Sequence, residues 1–330
     1  MDIIEVKNLT KTYKTFKKEA GLVGSIKGLF NRKYVEKIAL NSISLTVKKG
    51  DFLGFAGPNG AGKTTMLKIL SGILYPTNGE VFVNKHTPNK RSRSFLKDIT
   101  FIAGNKTQLD WSLPPMDSYL LNKEIYNISN SSFRERVKVL SGLLNIRSVI
   151  NRPVRELSLG ERMKSELLAG LLHNPEIIFL DEPTIGLDIN SQKNIWKFFR
   201  HLNHEEGKTI ILTSHYVEDI KQLCNKIILI NKGNIIFNDY LSVFLDHYNV
   251  KRKITFSVQE NVDQSRLKDY FNVPNSVINV DGNTYSITIS KEKVENTLHK
   301  IIDDFEIFNL RIEYEPIQDI IAEIFEKLNT

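Results

Sequence analysis

The chain has 330 residues, 41% hydrophobic and 25% charged, ordinary usage for a globular protein that buries a core, and its length admits one large domain or two. Its single cysteine, Cys224, excludes an internal disulfide and fits a reducing compartment, and no run of about 18 or more uncharged apolar residues is present to cross a bilayer as a helix. The net charge of +7 favours an anionic partner, membrane lipid or nucleic acid, without choosing between them, and the acidic, then polar start lacks a secretory signal.

In chain order, residues 2–7 read as a short strand, and the LTKTY that follows ends in Tyr13. An aromatic there could stack on an adenine ring or pack on its own sheet. Residues 14–37 are basic: Lys14, Lys17, Lys18, Lys27, Arg32, Lys33 and Lys37 face only Glu19 and Glu36. Leu22, Val23, Ile26, Leu29 and Phe30 are spaced to line one helical face among them. Such a basic amphipathic helix can lie at a membrane surface or against a partner, or be a surface insertion packed on its own domain. Apolar and polar residues alternate from Ile43 to Val47, as in a half-buried strand ending at a Lys49-Gly50 turn.

Residues 51–64, DFLGFAGPNGAGKT, carry the strongest signal. A strand-like run enters Gly57-Pro58-Asn59-Gly60-Ala61-Gly62-Lys63-Thr64, and an apolar helical pattern leaves it, which is the phosphate-loop motif in its required context. Glycines let successive backbone N–H groups curl around a polyphosphate, and the helix beginning at Lys63 adds a positive dipole end. Lys63 can reach β- and γ-phosphates, and the Thr64 hydroxyl can ligate Mg²⁺.

Beyond the loop, residues 75–79 form a turn by composition and 80–84 return as a strand. From about 109 to 172 the spacing is helical, as expected for a subdomain inserted into an α/β core. Residues 176–180 are a continuous apolar run, expected as a buried parallel strand, ending in Asp181-Glu182. Carboxylates at a strand's carboxyl end sit where an α/β sheet presents reactive groups. Residues 208–213 are another such strand, ending at Ser214-His215, and 226–237 read as a hairpin about Lys232-Gly233. After about residue 245 the order strand, helix, hairpin, helix, strand, helix predicts a small ferredoxin-like α+β module over 246–330.

The phosphate loop, Leu157-Ser-Leu-Gly-Glu161, the acidic strand end at 177–182, Ile185-Gly-Leu-Asp188 and His215 stand in an order that resembles the ATP-binding cassette (ABC) family, in particular ATPase subunits of export-type transporters. The resemblance covers residue 2 to about 240. It implies an α/β P-loop NTPase cassette over residues 1–245: a mostly parallel sheet, an antiparallel β subdomain and the inserted helical subdomain. It implies an ATPase with ATP and Mg²⁺ as cofactors, bound by the loop residues together with Thr65. By position, Tyr13 matches the adenine-stacking aromatic, Asp181 the Mg²⁺ carboxylate, Glu182 the general base and His215 the γ-phosphate switch. Ser158 and Gly160 match the signature that completes the site of a second subunit, and Asp188 the aspartate that links the two sites. Leu159 and Glu161 depart from the usual glycine and glutamine. Gln108 is taken as the Mg²⁺ and water contact, although Asn105 stands nearer the usual place.

Ribosome-acting relatives carry two cassettes in one chain and DNA-acting ones a long coiled coil; neither pattern occurs here. A GTPase reading founders where Asn105-Lys106 is followed by Gln108 instead of aspartate. A pure binding module is hard to reconcile with Glu182. The expected partners are separate membrane-spanning permease subunits and a second ATPase subunit, identical or paralogous, with no nucleic acid. The expected location is the cytoplasmic face of the cell membrane, held peripherally, with residues 14–37 against an anionic surface.

Overall fold

The computed structural model describes residues 1–16, 34–104, 107–248, 251–259, 267, 270–271 and 278–328. The chain divides into two compact units, Met1–Tyr240 and Leu241–Thr330.

In the first unit, β1 (Asp2–Phe16) pairs antiparallel with both β2 (Tyr34–Lys48) and β4 (Asn78–Val83), giving a three-stranded sheet in the order β2-β1-β4. Both long strands outrun the expectation. The ends of the 14–37 stretch pair as strands, Lys14 opposite Glu36 and Tyr13 opposite Lys37, instead of continuing a helix. The rest of that stretch, 17–33, lies outside the described residues. The second sheet has six strands in the order β5-β6-β7-β3-β8-β9: β5 (Ile99–Ala103), β6 (Ile177–Asp181), β7 (Thr209–Thr213), β3 (Phe52–Ala56), β8 (Lys226–Asn231) and β9 (Asn234–Tyr240). All its neighbours run parallel except β8 and β9, which form the hairpin expected about Lys232-Gly233. Both of those turn residues have positive φ, 46° and 79°, the handedness a two-residue hairpin requires.

The strands β3, β6 and β7 are buried along their whole length, so their sequences read as continuous apolar runs instead of alternating. Leu53, Phe55, Phe179, Ile211 and Ile228 pack with Met66, Leu67 and Leu70 of α1 (Lys63–Leu70) and with Ile4, Leu45 and Val47 of the antiparallel sheet. That core anchors the chain on both sides of the phosphate loop. A short helix, α2 (Arg93–Asp98), precedes β5. Three helices fill the stretch expected to be helical: α3 (Pro115–Ile125), α4 (Asn130–Leu143) and α5 (Leu159–Leu171). Helices α6 (Ile189–His204) and α7 (Val217–Leu223) follow β6 and β7.

The second unit opens with α8 (Leu241–Tyr248). Its strands β10 (Lys251–Val258), β11 (Ile278–Asp281), β12 (Thr284–Ser290) and β13 (Ile307–Tyr314) form an antiparallel sheet in the order β11-β12-β10-β13. Helix α9 (Val294–Asp304) joins β12 to β13, and α10 (Ile317–Lys327) ends the described chain. Ile254, Phe256, Tyr285, Ile287 and Ile301 form a core of its own. The helix expected at 265–271 falls largely outside the described residues.

Candidate active site

Strands β6, β7 and β3 are adjacent and parallel, so their carboxyl ends bring three distant stretches of chain to one place. The first is the phosphate loop. Helix α1 starts after Gly62, whose φ is +117°, and no side chain caps it, so its first N–H groups stay free for an anion. A Cβ at Gly62 would lie 2.6 Å from the Ala39 carbonyl oxygen, which leaves no room for a larger residue. Lys63 is buried and donates from Nζ to the carbonyls of Gly57 (2.6 Å) and Pro58 (3.0 Å). Burial pushes its ammonium below the usual lysine range, while Glu182 and Asp181 pull it back up.

The second stretch is the end of β6. Asp181 Oδ1 accepts hydrogen bonds from Thr64 Oγ1 (2.8 Å) and Thr213 Oγ1 (2.6 Å), so one carboxylate ties the loop to the ends of β6 and β7. The next residue, Glu182, has φ +55°, a left-handed conformation that costs a non-glycine residue on the order of 1 kcal/mol or more and recurs at functional sites. Gly104 makes room for it: a Cβ there would lie 2.1 Å from the Glu182 carbonyl oxygen. The third stretch, just past β7, supplies His215, whose Nε2 is 2.6 Å from Glu182 Oε1. Tyr13 joins the group from β1, its hydroxyl 3.4 Å from Thr65 Oγ1.

Ser158 and Gly160 form a separate cluster at the start of α5. Ser158 caps the helix and Glu161 reaches back: Glu161 Oε2 accepts from Ser158 N and from Ser158 Oγ, both at 2.9 Å, closing a capping box. The bond from the Ser158 N–H leads the causes that hold the Glu161 carboxyl below the usual carboxylate range. A negative charge of the chain's own therefore sits at this helix start. Leu159 packs over Gly186, and a Cβ at Gly160 would lie 2.4 Å from Ser191 Oγ, which donates to Asp188 (2.6 Å). Asp188 caps α6, accepting from the N–H groups of Asn190 and Ser191. Gln108 stands elsewhere: its side chain is exposed and donates to the Phe101 carbonyl (3.4 Å), and no described hydrogen bond joins it to the phosphate loop or to Asp181. Asn105 and Lys106 lie outside the described residues.

Three participants carry no motif. Thr213 is an ordinary strand residue until β7 places it beside Asp181. Asp219, 1% exposed, accepts from Thr184, Ser214 and Trp196 Nε1 (2.7 Å), tying the segment after Glu182 to the segment before His215. Glu166 on α5, 3% exposed, accepts from the Thr107 hydroxyl and from the N–H groups of Gln108 and Leu109. Nothing in their neighbouring residues distinguishes these acids from solvated ones.

The family model for the ABC transporter matches residues 40–185. The ABC transporter ATP-binding protein NatA of Bacillus subtilis (strain 168) is 34% identical over 203 residues, 62% of this chain and 82% of that protein. The methionine import ATP-binding protein MetN of Francisella tularensis subsp. holarctica (strain OSU18) is 29% identical over 273 residues, 81% of this chain and 72% of that one. The Nod factor export ATP-binding protein I of Rhizobium sp. (strain N33) is 31% identical over 202 residues, 61% and 66%. Among solved structures, the ATP-binding cassette MJ0796, a dimer in a post-hydrolysis state bound to ADP and Pi, aligns with TM-score 0.60 at 26% identity, covering 72% of this chain and 98% of that one.

Proposed function

The chain belongs to the ABC transporter family as an ATP-binding and ATP-hydrolysing protein, and from that premise we propose how its residues divide the work and what it powers. The observation that carries the reading is the meeting of Lys63, the Thr64–Asp181 pair and the Glu182–His215 pair at three neighbouring strand ends. The uncapped N–H groups of Lys63, Thr64 and Thr65 at the start of α1 and the Lys63 ammonium receive the β- and γ-phosphates, and Tyr13 stacks on the adenine. The Thr64 hydroxyl and Asp181 carboxylate would suit Mg²⁺: both are hard oxygen donors, and a 2.8 Å hydrogen bond already holds them together. Mg²⁺ held there would neutralise charge on the phosphates. Gln108 is a further candidate for that ion.

Glu182 takes a proton from the attacking water as the water oxygen bonds to the γ-phosphorus and the bond from that phosphorus to the ADP oxygen breaks. His215 holds the carboxylate in place and contacts the γ-phosphate. Ser158 and Gly160 complete the site of a second subunit, identical or paralogous, and Asp188 links the two sites. The work is transport through separate membrane-spanning subunits, in the direction of export, with the chain peripheral at the cytoplasmic face and residues 14–37 against anionic lipid. The export-named relative supports that direction; the import-named one is the alternative. No helix among the described residues is long and apolar enough to cross a membrane.

Glu182→Gln tests the core of the reading. It should keep nucleotide binding and accumulate as an ATP-bound dimer in light scattering, while phosphate release falls about 10²- to 10⁴-fold. Turnover like the parent's would remove Glu182 from the role of base.

A further inference from the structure

We propose that β13 of the C-terminal unit is a pairing strand for a second copy of this chain, each running antiparallel to its mate across a two-fold axis at Ile312. The two edges of this sheet differ. β11 is four residues long, as protected edges usually are. β13 has eight residues, no lysine and no proline, and among the described residues no strand covers its outer edge. Along it Phe308 and Tyr314 are each 67% exposed and Ile312 48%. From Asn309 to Tyr314 its pairing with β10 runs without a break in register, and an unblunted edge of this kind is a template for another strand.

The register follows from alternation. An open edge offers N–H and C=O from every second residue, so a strand pairs antiparallel with its own copy only in registers centred on a residue. Centring on Arg311 or on Glu313 sets like charges face to face. Centring on Leu310 sets Glu313 against Ile307. Centring on Ile312 places Arg311 opposite Glu313 of the second copy, twice by symmetry, with Leu310 opposite Tyr314 twice and Ile312 opposite itself. The two faces agree with this choice. Leu310 and Ile312 stand opposite the buried Phe256 and Ile254 of β10, so their contacts extend the core of each sheet. Arg311 and Glu313 stand opposite Thr255 and Lys253, so their ion pairs form on the other face. The partner is thus a surface carrying this same charge order in reverse, which a second copy supplies.

Pairing needs no nucleotide, and that separates it from closure of two cassettes on ATP. If closure occurs as proposed above, this strand pair would keep the copies together after ADP leaves them open; that consequence rests on the earlier reading, and the pairing does not. The test uses the full chain, nucleotide-free and with ADP. In Ile312→Cys the new thiol faces its symmetry mate, and the native Cys224 is buried and out of reach. Mild oxidation should yield a covalent dimer at least about tenfold faster than Val280→Cys on the opposite edge, since only paired Cβ atoms come within about 5.5 Å. Arg311→Glu and Glu313→Arg should each weaken self-association, by about tenfold, through like charges set opposite one another, and the double reversal should restore it. Equal crosslinking at 280 and 312, no restoration in the double variant, or a chain that stays monomeric throughout would each overturn the proposal, the last leaving the edge for a different polypeptide.

Discussion

Asp181 and Glu182 are neighbours in sequence, yet one is buried beneath two threonine hydroxyls and the other is turned by a left-handed backbone to face His215. Glu161 is the third acid of interest, and its position is unusual because it places charge at a helix start expected to receive a γ-phosphate. Glu161→Gln keeps a partner for the Ser158 N–H and removes the charge. Relief of repulsion near a helix end, worth about 0.3–1 kcal/mol, should tighten ATP-dependent dimerisation about two- to fivefold, read as the ATP concentration at half-maximal light scattering. A shift the other way would mean that the carboxylate itself helps close the site. The same group sets a pH dependence. Its folded-state pKa is depressed, so its contribution to stability is complete above the ordinary value of 4.5 and fades as pH falls below it through the folded-state pKa. The stability difference between the parent and Glu161→Gln, followed by denaturant titration, should therefore shrink as pH is lowered below that value.

At the scale of elements, Glu166 is a polar tie between an inserted helix and the loop after β5 that can be isolated. It lies on α5, seven residues beyond its first residue, and holds the loop that follows β5 by three donors. Glu166→Ala releases all three donors and strands the buried one, the Leu109 N–H, at a cost of about 1–3 kcal/mol. The loop should open locally before the core does. Amide exchange at Gln108 and Leu109 should accelerate at least tenfold, by the same penalty read as a factor, while amides of β3 and β6 hold their protection. Uniform acceleration across the sheet would show instead that α5 is integral to the core.

At the scale of the molecule, Met1–Tyr240 and Leu241–Thr330 each have their own buried cluster, and every candidate nucleotide residue precedes Leu241. A fragment ending at residue 240 should fold, bind ATP with an affinity within about threefold of the full chain, and lose the nucleotide-independent association proposed for β13, a contact separable by additivity of distant sites. Calorimetric titration and sedimentation check the two halves of that statement. A folded fragment that cannot bind ATP would assign part of the site to the C-terminal unit.

The phosphate loop was legible because its requirement is local: Gly57–Thr64 must bend one way whatever surrounds it, so residue types and spacing state the chemistry directly. The buried strands β3, β6 and β7 were legible for the same reason, being apolar runs up to their ends, and so was the Lys232-Gly233 turn with its positive φ angles. The alternation of strands and helices, and the carboxylates and histidine at strand ends, likewise needed only the one-dimensional pattern. Long-range pairing decided the rest. β1 and β2 run to fifteen residues each because each supplies the other's hydrogen bonds, including at Lys14 and Glu36, whose own charges suggest no strand. Thr213, Asp219 and Glu166 gained their parts from partners 32, 35 and 58 residues away, at Asp181, Thr184 and Gln108. Sequence by itself determined which chemistry this chain carries, since backbone curvature and charge are properties of adjacent residues. Only the tertiary structure decided which acid is buried, which is turned to a histidine and which closes over its own helix, because burial and orientation belong to the packed sheet.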